Sequence, residues 1–182
     1  MKGLRTEPLG GLHDRSSFRC GIPELDDYLV RQASQDVRRR VAAVFVMVAE
    51  ERPKRILGYY TLSSFAVRTT GLPEDEMRKL PRYPTTPATL IGRLARDVGE
   101  PGVGGLLLAD ALKRILASAR EVASALVVVE AKDPSAVAFY QKFGFIPFKG
   151  CPRKLFLPMR TIAAADKKVG RRARLSVHSA PA

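Results

Sequence analysis

The feature that most constrains this chain is a change of hydrophobic period across a glycine-rich turn. Ala88–Ala95 (ATLIGRLA) reads as a strand, and Gly99-Glu100-Pro101-Gly102-Val103-Gly104-Gly105 follows it. Beyond the turn, Leu108, Leu112, Ile115 and Ala119 share one helical face, while Asp110, Lys113 and Arg114 point elsewhere. Glycine admits a positive φ and lets the backbone approach a ligand closely. A helix start adds free N–H groups and a positive dipole end, so the turn is a candidate anion site. No Gly-Lys-Ser/Thr follows, which excludes a Walker A loop. The third glycine of a dinucleotide fingerprint would fall at Leu107, which makes that match poor. Taken alone, the turn is also compatible with a simple reversal of the chain.

The flanking segments predict an α/β domain. Cys20-Gly21 opens a helical stretch in which Leu25, Tyr28, Leu29 and Gln32 follow helical spacing. Val41–Ala49 and Ile56–Val67 are buried-strand types of run, separated by the charged, proline-interrupted Glu50–Arg55, and read as an antiparallel hairpin. Residues 70–87 hold Gly71, Pro73, Pro81, Pro84 and Pro87, so loop is expected there, with a short helix around Glu74–Lys79. Leu126–Val129 is a compact strand, Ser135–Phe143 a short helix ended by Gly144, and Lys154–Pro158 a last strand. The expected order is α, β, β, loop, β, α, β, α, β on a mixed sheet. Residues 163–182 lack periodicity and are expected to be a basic, disordered tail behind a domain spanning residues 1–162.

Composition removes several function classes. The chain has 182 residues, of which 46% are hydrophobic, enough for a core. Its longest uncharged run, Ile56–Val67, is too short to span a membrane, and the N-terminus has no apolar segment of a signal peptide. A cytoplasmic location is therefore expected. Cys20 and Cys151 are the only cysteines and read as ordinary small residues. His13 and His178 are the only histidines. A disulfide scaffold, a thiolate zinc site and a buried Ser/His/Asp triad are thus disfavoured, and no metal is expected. The net charge is +13, with eleven basic and four acidic residues from Glu121 onward. Such a surplus attracts polyanions, although a solvated tail accounts for its densest part.

With its flanks, the turn resembles the phosphate loop of GCN5-related N-acetyltransferases (GNAT), whose pattern is Gln/Arg-x-x-Gly-x-Gly/Ala. Gly102-x-Gly104 matches the second half, and Gly99 departs from the usual Gln/Arg, removing one side-chain contact. Over residues 15–162 the resemblance narrows to GNAT-type toxins of bacterial type II toxin–antitoxin modules. It is carried by Phe18-Arg19-Cys20-Gly21, Leu25-Asp26-Asp27-Tyr28-Leu29, Gly58-Tyr59-Tyr60-Thr61-Leu62-Ser63, Leu80-Pro81-Arg82-Tyr83-Pro84, Gly92-Arg93-Leu94-Ala95, Ala138–Phe145 and Leu155-Phe156-Leu157-Pro158-Met159. Each motif is short, and their shared order makes the match specific. The resemblance implies a GNAT fold, with a central mixed, mostly antiparallel sheet flanked by helices. It implies an acetyl-CoA-dependent toxin that acetylates the α-amino group on charged tRNA and so blocks translation. It also implies an antitoxin partner of ribbon–helix–helix type and a homodimer.

The residue types suit that chemistry. An α-amino group titrates near ~7.7–8.0, so part of it is neutral at pH 7 and no strong dedicated base is required. A tyrosine stays protonated to about pH 10, and the resemblance makes Tyr140 the general acid for the leaving thiol. Without that signature, Tyr140 reads as a core aromatic, as Phe139, Phe143 and Phe145 do. The resemblance further assigns the cofactor to backbone donors along Leu94, Ala95, Arg96 and Val98, and to Gly102, Val103, Gly104 and Gly105. Arg96 stands close enough to help neutralise phosphate. Asp133 and Ser135 lie near the expected cofactor, although both also suit helix capping. Candidate RNA contacts are Arg38, Arg39 and Arg40, Arg78, Lys79, Arg82 and Arg93, then Lys149, Arg153 and Lys154; each alone also reads as a solvated surface charge. Two other readings stay open at this stage. One is a GNAT enzyme acting on a small amine or protein lysine, and the other is a non-catalytic basic RNA-binding module.

Overall fold

The computed structural model describes residues 3–177, with side chains described through residue 169. Among the described residues, seven strands form one sheet in the order β1-β2-β3-β4-β5-β7-β6. The strands are β1 (Leu4–Pro8), β2 (Ala43–Ala49), β3 (Gly58–Arg68), β4 (Thr85–Arg96), β5 (Leu126–Glu130), β6 (Ile146–Phe148) and β7 (Cys151–Pro158). The helices are α1 (Pro23–Asp27), α2 (Ala33–Arg38), α3 (Glu74–Met77), α4 (Val103–Ser118), α5 (Pro134–Lys142) and α6 (Met159–Val177). The sheet is mostly antiparallel and helices flank it, which is the expected α/β architecture. The chain divides into two compact units, Met1–Phe65 with Thr89–Ala111, and Ala66–Ala88 with Leu112–Ala182.

In the first unit, β2 and β3 form the expected hairpin, with Val46 opposite Tyr59 and Val44 opposite Thr61. The β-branched run of β2 suits this pleated, buried position. β1 adds an antiparallel edge, with Leu4 opposite Ala49. That strand was not expected, because its five polar-rich residues carry no hydrophobic alternation. The core gathers around Tyr59, whose ring meets Phe18 edge-on at 5.5 Å and stacks with Tyr28 at 6.2 Å. Pro23 opens α1 at a position where its missing N–H has no cost. A single wide turn at Tyr28–Gln32 joins α1 to α2 and turns Tyr28 and Leu29 into the core. Gly58 marks a close approach. A Cβ there would lie 2.5 Å from Leu107 Cδ1, 2.9 Å from Ala95 O and 3.2 Å from Val103 Cγ1. Its bare backbone lets the first turns of α4 sit against the start of β3.

In the second unit, β5 is buried through Leu126–Val129 and pairs antiparallel with β7, which also carries the short β6. Residues 85–87, expected as loop, belong to β4 instead, and the Pro87 carbonyl accepts the Ala125 N–H at 2.9 Å. Proline there keeps its acceptor and loses only a donor. The largest difference lies past β7. Helix α6 runs to Val177, through the segment expected to be disordered from residue 163. Ile162 is buried while residues 164–169 are exposed, so this stretch buries little large apolar surface. Its Ala- and Lys-rich composition favours helix by propensity alone. Residues 178–182 of the expected tail, including His178, lie outside the described residues. Among the described residues, no helix is long and apolar enough to cross a membrane.

Candidate active site

The glycine turn is built around one carboxylate. Asp97, buried at the end of β4, accepts the Arg19 N–H on Oδ2 and the Gly99 N–H on Oδ1, both at 3.0 Å. Its own N–H donates to Leu57 O at 2.9 Å. The Arg55 guanidinium forms ion pairs with Asp97 at 3.8 Å and Glu100 at 3.3 Å, so both acidic groups of the turn are compensated. Gly102 has φ +88°, and a Cβ built there would meet nothing within 4 Å. The residue is therefore glycine for its backbone conformation, and the space in front of it is open. Val103 is buried and anchors the helix, while Gly104 and Gly105 are half-buried in the first turn of α4. That turn's N–H groups have no partner inside the helix. Helix-start donors, an open approach and the positive end of a sixteen-residue helix fit a diphosphate.

The expected contacts on β4 divide. Ala95 is buried in the core and Leu94 is half-buried. Arg96 donates from Nη1 to Asp97 O at 3.0 Å and Val98 O at 3.4 Å, so it braces the turn rather than standing free. Val98 corrects one expectation. Its N–H was expected to be an unpaired donor, but it donates to Arg19 O at 2.8 Å. Its side chain is exposed.

Tyr140 lies on α5. Asp133 caps that helix by accepting the Ala136 N–H at 2.8 Å, and Pro134 follows at its first position. Gly144, at φ +84°, ends it, and the Phe143 and Phe145 N–H groups donate to Tyr140 O. Ser135 is exposed just inside the helix start and does not serve as the cap. Tyr140 is 7% exposed, with its ring 5.2 Å from Phe139 and 5.4 Å from Phe145. Phe145 is buried as expected, whereas Phe143 is exposed.

The Tyr140 hydroxyl differs from those of the other buried tyrosines. Tyr28 donates to Asp36 Oδ2 at 2.9 Å, Tyr59 to Leu25 O at 2.8 Å, and Tyr60 to Asp110 Oδ2. Among the described residues, the Tyr140 hydroxyl has no hydrogen-bond partner. It is not sealed in either, because no fully buried polar side-chain atom is left unpaired among them. The hydroxyl is held in an apolar setting and stays open to an incoming group. Burial pushes its pKa up to about 12, so it is a neutral donor across the physiological range.

The basic candidates fall into one set per unit. In the first, Arg38 and Arg39 are exposed at the end of α2. Arg93 lies over the Tyr28 ring at 3.6 Å, a cation–π contact, and Tyr28 in turn bonds to Asp36 on α2. In the second, Arg78 pairs with Glu74 at 3.6 Å and Lys79 with Glu76 at 2.9 Å. Arg82 is exposed and has no ion-pair partner among the described residues. The Lys149 N–H donates to Gly71 O at 3.0 Å, joining the β6–β7 turn to the start of the same loop, and Arg153 is exposed on β7.

No protein-family model matches the chain. A probable toxin TacT of Sinorhizobium fredii is 33% identical over 166 residues, covering 86% of this chain and 91% of that protein. A tRNA-acetylating toxin of Mycobacterium tuberculosis is 33% identical over 153 residues, covering 83% of this chain and 89% of that protein. The chain belongs to the tRNA-acetylating toxins. Solved structures agree in fold. A tyrosine-to-phenylalanine variant of KacT superposes with a TM-score of 0.84 at 27% identity, covering 90% of this chain and 99% of that one. AtaT complexed with acetyl-methionyl-tRNAfMet gives 0.83 at 28% identity, covering 89% and 98%.

In this member of the toxin family, the sequence reading missed two residues that build the site. Asp97 holds the glycine turn, and its signal was local: an Asp two residues before a glycine is the pattern of an Asx turn. Arg55 comes from the β2–β3 connection, and nothing in the sequence linked it to residues 97–100. The toxin's Cys20 thiol is pushed up to about 11 by burial, helped by Asp26, which leaves it protonated and a poor nucleophile.

Proposed function

We propose that this toxin moves the acetyl group of acetyl-coenzyme A onto the α-amino group of the amino acid on a charged tRNA, with Tyr140 serving the departing thiolate. Acetyl-CoA supplies the activated thioester. The neutral amine forms the new C–N bond, the C–S bond breaks, and the amine's extra proton leaves to solvent. The acetylated product has no free amine to accept a peptide, so translation stops.

The observation that carries this reading is the unpartnered hydroxyl of the largely buried Tyr140. With its pKa near 12, full transfer of its proton to a thiolate of ordinary pKa ~8.5 is uphill. Its first task is therefore a hydrogen bond to the negative charge that develops on sulfur. A thiolate formed in the same apolar setting is itself a stronger base, which narrows the gap. The N–H groups of Gly102, Gly104 and Gly105 take the coenzyme's diphosphate, supported by the α4 dipole. Leu94 and Ala95 offer backbone contacts to the pantetheine arm.

Arg38, Arg39, Arg78, Lys79, Arg82, Arg93, Lys149 and Arg153 neutralise tRNA phosphates, which gives affinity and orientation rather than sequence reading. An antitoxin is the second partner. AtaT has been solved with the C-terminus of its antitoxin AtaR, and KacTA with DNA, which supports a DNA-binding antitoxin. A ribbon–helix–helix fold for that antitoxin is part of the same proposal. A homodimer acting in the cytoplasm completes the reading. Radiolabelled acetyl transfer to charged tRNA, uncharged tRNA and free amino acids tests it. Label should enter charged tRNA alone. Label on free amines would replace this reading with a small-amine acetyltransferase, and RNA binding without label would leave a non-catalytic module.

A further inference from the structure

The loop that leaves α3 presents an aromatic ring to solvent on a firmly held turn. Tyr83 is 67% exposed, and neither its ring nor its hydroxyl has a partner among the described residues. Its neighbour Arg82 is likewise exposed and unpaired. The backbone beneath them is not loose. The Thr69 hydroxyl donates to Tyr83 O at 2.7 Å, the Thr69 N–H donates to Pro84 O at 3.2 Å, and Pro81 and Pro84 flank the pair. The approach to this turn is tied as well, since Glu76 on α3 binds both Lys79 and Arg160 of α6. Burial alone would raise the Glu76 carboxyl, but the bonds from Arg160 and Lys79 outweigh it and hold the group ionised below its usual range. Glu74 is taken up by Arg78, and Asp75 is the acidic residue of the loop left unpaired.

The backbone that carries the ring is already ordered, so binding has only the side chain left to immobilise. An exposed aromatic next to an unpaired guanidinium is the chemistry that recognises single-stranded nucleic acid: the ring stacks on a base and the arginine takes the adjoining phosphate. The proposed substrate ends in unpaired nucleotides at its acylated 3′ end. We propose that Tyr83 is a stacking platform for one of these nucleotides, with Arg82 on its phosphate. This assignment rests on the tRNA-acetylating reading above.

The test compares wild type with Tyr83→Ala, Tyr83→Leu and Tyr83→Phe. Stacking contributions of the usual size predict that Tyr83→Ala raises the KM for charged tRNA by about 5- to 150-fold. The KM for acetyl-CoA should stay within about twofold. Tyr83→Phe should keep the wild-type KM, because it keeps the ring, and Tyr83→Leu should not. An oligonucleotide carrying 2-aminopurine among its unpaired 3′ nucleotides should be quenched by wild type and Tyr83→Phe, and not by Tyr83→Ala. An unchanged KM in Tyr83→Ala overturns the proposal, as does Tyr83→Leu matching Tyr83→Phe. Loss of antitoxin affinity with tRNA kinetics intact would give the ring to a protein partner and overturn it too. If wild type itself failed to acetylate charged tRNA, the broader reading would fall. An active wild type with an indifferent Tyr83→Ala sinks the stacking assignment alone.

Discussion

Tyr140→Phe separates catalysis from packing unusually cleanly in this chain. The substitution removes one hydroxyl and keeps a ring that lies against Phe139 and Phe145. Because that hydroxyl has no partner among the described residues, no internal hydrogen bond is lost, and the stability change should stay within about 0.5 kcal/mol. Tyr59→Phe is the control. It strips the donor from Leu25 O, now bonded at 2.8 Å, and should cost about 1–2 kcal/mol. The rate should behave in the opposite way. Loss of the hydroxyl donor to the leaving thiolate is worth roughly 10²–10⁴ in rate, or about 2.7–5.4 kcal/mol in the barrier. Initial rates of coenzyme A thiol release, at saturating charged tRNA, measure the first quantity. Urea unfolding of the same preparations measures the second. A near-native rate would remove Tyr140 from the mechanism. A rate loss that tracks a matching loss of stability would show that the ring acts through packing.

Gly58→Ala should destabilise the protein by about 1–3 kcal/mol and raise the KM for acetyl-CoA. The reason is that the new Cβ would press on Ala95 O at 2.9 Å, which cannot move aside as the Leu107 side chain can. Urea unfolding and steady-state kinetics check both, and wild-type values in each would refute the close-packing account. Alkaline pH should also weaken the fold. Burial raises Tyr28 and Tyr140 to about 12. Their stabilising contribution is complete below the unfolded value near 10 and is lost as pH rises through 12. The urea midpoint should therefore fall between pH 9 and pH 11, and a flat midpoint would contradict it.

Several parts of this protein were legible because their causes are local. The β2–β3 hairpin follows from two apolar runs around a charged, proline-broken turn. The glycine turn and α4 follow from a strand period giving way to a helix period, and α5 from Pro134 before it and Gly144 after it. Tyr140 could be proposed from the resemblance carried by its surrounding motif. The edge strand β1 was not legible, because five polar-rich residues acquire strand geometry only by pairing with β2. Helix α6 was missed because alanine and charged residues dominate it, leaving few large apolar residues after Ile162 to mark a period.

The sequence by itself determined the α/β class, the glycine turn and the chemical types available: a tyrosine, free amides and an excess of arginine and lysine. Tertiary structure decided which of those groups are still free to act. Arg96 and the Val98 amide looked available and are engaged by nearby carbonyls, whereas Tyr140, core by its local pattern and catalytic only by the resemblance, keeps a hydroxyl with no partner among the described residues. Asp97 and Arg55 hold the turn through contacts with residues 19 and 100, distant in the chain from one or the other. A residue's type sets what it can donate or accept. Whether that capacity is already used depends on what folding brings within about 3 Å, and no local pattern encodes that.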